Sequence, residues 1–390
     1  MLKKLYPVLL IVLYSALLLS GFAAGRLTKE CRICPPEDVD FSLFWEAWHK
    51  IEENYVNPEE LNTQEMIHGA ISGMVEAVGD PHTVFFNPED TKVFLEDAAG
   101  EFEGVGMEIG IKNEQLQVIS PLKDTPADKA GLRPGDKIVR IDGKSTEGIT
   151  LEKAVVLIRG EKGTEVNLTI MRNGWDESRD FVIKRDEIKV PSMEWDLIEG
   201  DIAHIEFYHF SKEAPDDFSE NAVDILNSPA KKIILDLRGN PGGYLHISQE
   251  IANWFIEKDK IVVIEEFGDG TRETYKTEGN SAFSGYPLVV LINEGSASAA
   301  EILAAALRQH KEAQIVGAAS FGKDTIQQLT YLKNDSSLKV TVAHWLTPNG
   351  TTIPEDGIKP DVEVELTEQD YEQDKDPQIK KAIEIIKQIE

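Results

Sequence analysis

Pro287-Leu-Val-Val-Leu-Ile-Asn-Glu-Gly-Ser-Ala-Ser-Ala-Ala-Glu301 changes texture halfway along. Residues 287–292 are a short apolar run rich in branched side chains, the pattern of a buried strand. The run breaks at Asn293-Glu-Gly295, and Ser296-Ala-Ser298-Ala-Ala-Glu301 opens the helical pattern of 302–307. A hydroxyl at such a strand-to-helix turn sits where the first helical N–H groups lack an internal partner. Capping accounts for one serine. It does not account for a serine set among so many small residues, which a site needs where a substrate backbone must come close. Ser298 is therefore a candidate nucleophile, with a simple helix cap as the plain alternative.

A serine nucleophile needs a base. Of the eight histidines, His310 lies three turns along the helix that Ser298 opens and points away from its start. His204 and His209 alternate with apolar residues and read as structural. His246, just after the turn Asn240-Pro-Gly-Gly243, is the strongest histidine candidate. A lysine also serves if desolvation brings its pKa toward neutrality. Ser320-Phe-Gly-Lys-Asp-Thr-Ile-Gln327 places Lys323 between apolar strands, with Gln327 four residues on. Asp324 follows directly, and a carboxylate beside the amine would hold it charged unless it points away.

Around these stretches, strands expected at 202–207, 232–237, 261–266, 287–292 and 338–343 interleave with helices at 216–226 and 245–255, an α/β or α+β layout. Residues 101–187 differ, with short strands and turns. Glu103-Gly-Val-Gly106 enters a strand, Thr125-Pro-Ala-Asp-Lys-Ala-Gly-Leu132 is a short helix with a glycine stop, and Asp142-Gly143 is a hairpin signal. Residues 38–100 read as helical. Phe41, Phe44, Trp45, Trp48, Ile51 and Tyr55 share one face of the first helix, a core or oligomer contact.

Ahead of them, Leu5 to Gly25 is 21 residues without a charged side chain, about 31 Å as a helix and enough to cross a bilayer core. An uncleaved anchor and a cleaved signal segment both fit. Either puts the bulk of the chain outside the cytoplasm. Cys31 and Cys34 are too few for a thiolate zinc site and suit a local or inter-chain disulfide. A net charge of −29 without a basic patch argues against nucleic acid as a partner.

The ordered set in 101–187 resembles a PDZ domain. That resemblance implies capture of a peptide C-terminus by strand addition, its carboxylate on the loop Gly104, Val105 and Gly106. Gly295-Ser-Ala-Ser298-Ala299, Phe321-Gly-Lys323, Gln327, Leu235-Asp-Leu-Arg-Gly-Asn-Pro-Gly-Gly-Tyr244 and Gly79-Asp-Pro-His-Thr83 fall in the order found in the C-terminal processing peptidases. Those are serine proteases with a Ser–Lys dyad, an embedded PDZ domain and a crotonase-like α/β core. The resemblance covers roughly 40–390 and implies a multidomain α+β fold: after the anchor or signal segment 1–25 and a linker 26–37 come a helical region 38–100, a PDZ domain 101–187 and a protease core 188–390. It implies Ser298 as nucleophile, Lys323 as base and Gln327 as its holder. Oxyanion donors would come from Gly242 or Gly243 and from Ala299. No metal or cofactor is implied. Asp236 and Arg238 brace the turn, and Arg159 ends the PDZ helix. The expected function is an endopeptidase acting on exposed C-terminal segments, with the N-terminal helices available for self-association. The rivals are a PDZ scaffold that has lost catalysis and a Ser–His hydrolase using His246.

Overall fold

The computed structural model describes residues 39–389 apart from positions 113, 114, 123, 173, 355, 368, 369, 371, 372 and 374. The apolar run 5–25 and the Cys31/Cys34 pair lie outside the described residues. Among the described residues no helix is long and apolar enough to cross a membrane.

The chain divides between Ile67 and His68. The first unit carries helix α1 (Ser42–Asn54) and the start of α2 (Thr63–Glu76). Asn62 caps α2, its Oδ1 accepting from the Gln64 and Glu65 amides. No residue of α1 is buried, and Phe44, Trp45 and Trp48 pack mainly on one another.

The second unit begins at His68. Strand β1 (Val84–Phe86) and helix α3 (Pro88–Ala99) lead into β2 (Glu101–Gly104). A six-stranded antiparallel sheet follows. It is built from β3 (Met107–Lys112), β4 (Gln115–Pro121), β5 (Lys137–Ile141), β6 (Lys144–Ser145), β7 (Glu165–Met171) and β8 (Arg179–Lys184). Helix α4 (Pro126–Lys129) lies after β4 and α5 (Leu151–Ile158) after β6. Their apolar residues close a separate small core around Leu116, Ile138, Val166 and Leu168. The chain leaves along β9 (Asp186–Lys189), which pairs antiparallel with β2. One two-stranded ribbon thus carries the chain into this module and out again.

The larger body holds a six-stranded sheet in the order β10 (Met193–Ile198), β11 (Ile202–Phe207), β12 (Lys232–Asp236), β15 (Leu288–Ile292), β16 (Gln314–Gly317) and β19 (Val362–Glu363). All pairs after β10–β11 are parallel. A parallel sheet covered on both faces needs continuous apolar strands. Every residue of β15 is buried: Leu288, Val290 and Ile292 face one core, Val289 and Leu291 the other. Helices α6 (Ala214–Asn227), α7 (Leu245–Ala252) and α8 (Ala299–Lys311) cover the first face and α9 (Pro377–Ile386) the second. A second sheet joins β1, β13 (Ile261–Phe267), β14 (Arg272–Lys276), β17 (Thr325–Tyr331) and β18 (Ser337–Leu346). Gln327 lies in β17 opposite Thr341 of β18, beside a β-bulge.

Candidate active site

Open parallel sheets expose turns at the carboxyl ends of their strands, where ligands bind. The turns after β12 and β15 meet there. Ser296, fully buried, ties them together: its hydroxyl donates to Leu237 O (2.7 Å) and accepts from the Asn293 amide (3.0 Å). Ser296 is thereby structural. Ser298, two residues on, has φ +53° and ψ −115°. For a residue with a side chain this costs about 1–3 kcal/mol and persists only where the surroundings impose it. They do so here. Its N–H donates to Glu301 Oε2 (2.8 Å), and its carbonyl accepts from the Ile302 amide (2.9 Å).

Glu301 is the residue the sequence reading passed over. Its carboxylate is fully buried and accepts from Ser298 N, Gly322 N (2.9 Å), Lys323 N (3.1 Å) and Ser320 Oγ (2.6 Å). One side chain therefore holds the start of α8 against the loop that carries Lys323. The Ser-x-x-Glu spacing of a capping box was the available signal.

Lys323 is clamped at both ends of its residue, by Glu301 at its N–H and by the Trp345 indole donating to its carbonyl (2.7 Å). Burial pushes its pKa down, and the nearby charge of Lys339 pushes the same way; Glu301 and Asp80 oppose them. Asp324 turns away to pair with His344 Nδ1 (3.0 Å). Among the described residues no carboxylate lies within ion-pair range of the Lys323 ammonium.

A cavity of about 430 Å³ brings Ser298, Lys323, Gln327, Gly242 and Gly243 together, with Tyr244, Phe94 and Lys339 also on its walls. His246 is not on that wall; it sits in the first turn of α7 with its ring against Tyr244. His209 does line the cavity. Burial pushes its pKa down, and its Nε2 packs against Gly100.

The two glycines have different work. Gly242 has φ +96°, and a Cβ there would lie 2.7 Å from Ala297 O and 2.9 Å from Ser298 Cβ. Its N–H is spent on Asn240 Oδ1 (2.9 Å). The Gly243 N–H has no acceptor among the described residues. Arg238 grips both oxygens of Asp236 and reaches Asp376 (2.8 Å) and Gln378 (3.0 Å), bracing the turn against α9. His204, Glu206 and Asp236 bring potential metal-binding atoms within 4.8 Å of one another, but the Asp236 carboxylate is already taken by Arg238.

In the small module, a groove of about 60 Å³ runs between β3 and α5, lined by Val105, Gly106, Met107, Ile109, Val155 and Ile158 among others. The N–H groups of Val105 and Gly106 have no acceptor among the described residues, while their carbonyls accept from Ala127 and Leu122. Gly104 instead ends β2, opposite Asp186. Arg159, at the end of α5, pairs with Asp97 and lies over the Phe102 ring.

An antiparallel module with a surface groove beside an α/β core, and a serine on a strained turn sharing one cavity with a partly buried lysine, fit the class of serine-type peptidases with a PDZ domain. The sequence matches peptidase family S41 over residues 201–364, the PDZ domain over 92–171 and the N-terminal domain of the activating protease CtpB over 28–90. It is 35% identical to the carboxy-terminal processing protease CtpA of Bacillus subtilis (strain 168) across 93% of this chain and 77% of that one. It is 36% identical to the carboxy-terminal processing protease CtpB of the same strain, across 82% of this chain but only 66% of that one. The structure superposes on a photosystem II D1 C-terminal processing protease with a TM-score of 0.52 and 28% identity, covering 83% of this chain and 92% of the other. The chain belongs to the carboxy-terminal processing proteases of peptidase family S41.

Proposed function

We propose that this chain is an endopeptidase for exposed, weakly structured C-terminal segments of proteins outside the cytoplasm, with Ser298 as nucleophile and Lys323 as general base. The observation that carries this is the single cavity shared by Ser298, Lys323, Gln327 and the glycine turn. Neutral Lys323 takes the Ser298 proton as Oγ attacks the scissile carbonyl, then returns it to the leaving amine. It next deprotonates the water that hydrolyses the acyl-enzyme. Gln327 holds the amine. The Gly243 and Ala299 N–H groups receive the oxyanion, since the Gly242 N–H is committed to Asn240. Such a donor is worth about 3 kcal/mol in the transition state. The PDZ groove holds the substrate C-terminus beside β3, its carboxylate on the Val105 and Gly106 amides. The apolar run 5–25 supports the location, and the exposed aromatic face of α1 supports self-association.

Asp324, engaged with His344, does not favour a scaffold without catalysis, and the position of His246 does not favour a Ser–His hydrolase. The test is cleavage of an unfolded protein, together with trapping by a serine-directed acylating probe. Ser298→Ala loses both. Full cleavage by Ser298→Ala overturns the assignment, and full cleavage by Lys323→Ala moves the base elsewhere.

A further inference from the structure

The motif Gly79-Asp-Pro-His-Thr83 is far from the nucleophile in sequence and has no part in the mechanism above. In the fold, the turn before β1 places Asp80 beside Thr341, the residue opposite Gln327 in the β17–β18 pair. Thr341 Oγ1 lies 2.6 Å and Thr83 Oγ1 2.5 Å from Asp80 Oδ2, and the Thr341 N–H donates to Thr83 Oγ1 (3.1 Å). Gln327 Nε2 lies 3.1 Å from Thr341 Oγ1 and 3.0 Å from Thr325 Oγ1.

Donor and acceptor capacity fixes the protons between Asp80, Thr341 and Gln327. A carboxylate accepts and cannot donate. The Thr341 hydroxyl must therefore give its proton to Asp80, which leaves its oxygen only able to accept. The part of Gln327 that faces it must then be the NH2 group. The second amide proton goes to Thr325. Both protons are spent on one side, so Oε1 faces the other. A flipped amide would set its oxygen against the Thr341 oxygen. The hydrogen bond from Thr341, followed by that from Thr83, holds the Asp80 carboxyl down to about 2, ionised across the working range.

We propose that Asp80 and Thr341 are positioning residues for the base: the Asp80 carboxylate orients the Thr341 hydroxyl, which locks the Gln327 amide with its carbonyl toward Lys323. A carbonyl oxygen accepts an N–H of the neutral amine and leaves the nitrogen lone pair for the Ser298 proton. An NH2 group in that place would donate to the same lone pair and quench the base. The relay also gives the segment before the PDZ domain a direct task in catalysis. It rests on the assignment of Ser298, Lys323 and Gln327 made above.

The experiment is a mutant cycle on the full chain, with an unfolded protein as substrate and kcat read on the high-pH plateau. The plateau matters because Asp80 also raises the Lys323 pKa, so Asp80→Asn shifts the titration limb whether or not a relay exists. Thr341→Val is expected to lower kcat by about 10- to 100-fold, the cost of misplacing a catalytic group, with KM little changed. Thr341→Ser, which restores the hydroxyl, recovers most of that loss. Thr341→Val with Gln327→Ala is no worse than Gln327→Ala alone. Asp80→Asn, whose amide can donate to Thr341, lowers plateau kcat by the same route and decides the matter if Thr341→Val does not fold. Losses that multiply in the double variants overturn the relay. So does a wild-type kcat in Thr341→Val or Asp80→Asn beside an impaired Gln327→Ala. Cleavage by Ser298→Ala or Lys323→Ala overturns the underlying assignment instead.

Discussion

A lysine acts as a base only when something makes its ammonium expensive, and here two things do: burial, and the charge of Lys339. The sign of the pH dependence follows. If Lys323 is the base proposed above, activity needs its neutral form, so kcat/KM rises as pH rises through the lowered Lys323 pKa. Lys339→Gln removes a repelling charge while Glu301 and Asp80 still favour the ammonium. The Lys323 pKa then rises, and the activity limb moves to higher pH. A pH–rate series on the two proteins measures this, and an unmoved limb counts against Lys339 as a tuning charge. Glu301→Gln tests the other support. The substitution leaves an NH2 group facing donors that had a carboxylate. Losing a buried, charge-assisted acceptor costs about 1–3 kcal/mol. A lower unfolding midpoint in urea is expected, together with a fall in kcat, because the Ser298 and Lys323 backbones lose their common anchor.

At the scale of elements, the site is a meeting of two turns, and Gly242 is where they touch. Gly242→Ala adds a Cβ 2.7 Å from Ala297 O at φ +96°, so either the turn or the Ser298 backbone must move. The expected outcome is at least a tenfold loss of kcat, about 1.4 kcal/mol, in a protein that still folds by circular dichroism. Unchanged kcat would mean that the turn has slack the close contact does not suggest. The parts of this arrangement legible in the sequence were those written locally. The apolar run of β15, the small residues around Ser298 and the turn chemistry of 239–243 each carry their own signal. The largely exposed strands β10 and β14, the four-residue β16 and the placement of Gln327 in β17 did not, because exposed or very short strands have weak periodicity and their pairing is set by distant partners. Asp80 and Thr341 are 261 residues apart, and no local pattern announces such a pair. The difference between Gly242 and Gly243 is likewise not written locally: it rests on the Asn240 side chain, which accepts from the Gly242 N–H.

Across the whole molecule, a groove with two amides that lack an acceptor among the described residues and a cavity with a serine belong to one chain, joined by the β2–β9 ribbon. If the groove holds the substrate C-terminus, affinity depends on a terminal carboxylate that the cavity never touches. A peptide ending in a free carboxylate is expected to show a lower KM than its C-terminal amide, with kcat nearly equal, the signature of binding lost away from the reacting atoms. Gly106 supplies the matching variant. It has φ +75°, and a Cβ there would come 2.4 Å from Thr125 Cβ, so Gly106→Ala displaces the loop. That variant should raise KM for the free-acid peptide and leave the amide unaffected, since the amide has no carboxylate to lose. The net charge of −29 adds a second dependence. Association with acidic peptides should be slow at low ionic strength and quicken as salt screens the repulsion. Equal KM for the acid and amide forms, at any salt concentration, would separate the PDZ groove from substrate capture and leave the cavity to select its substrates alone.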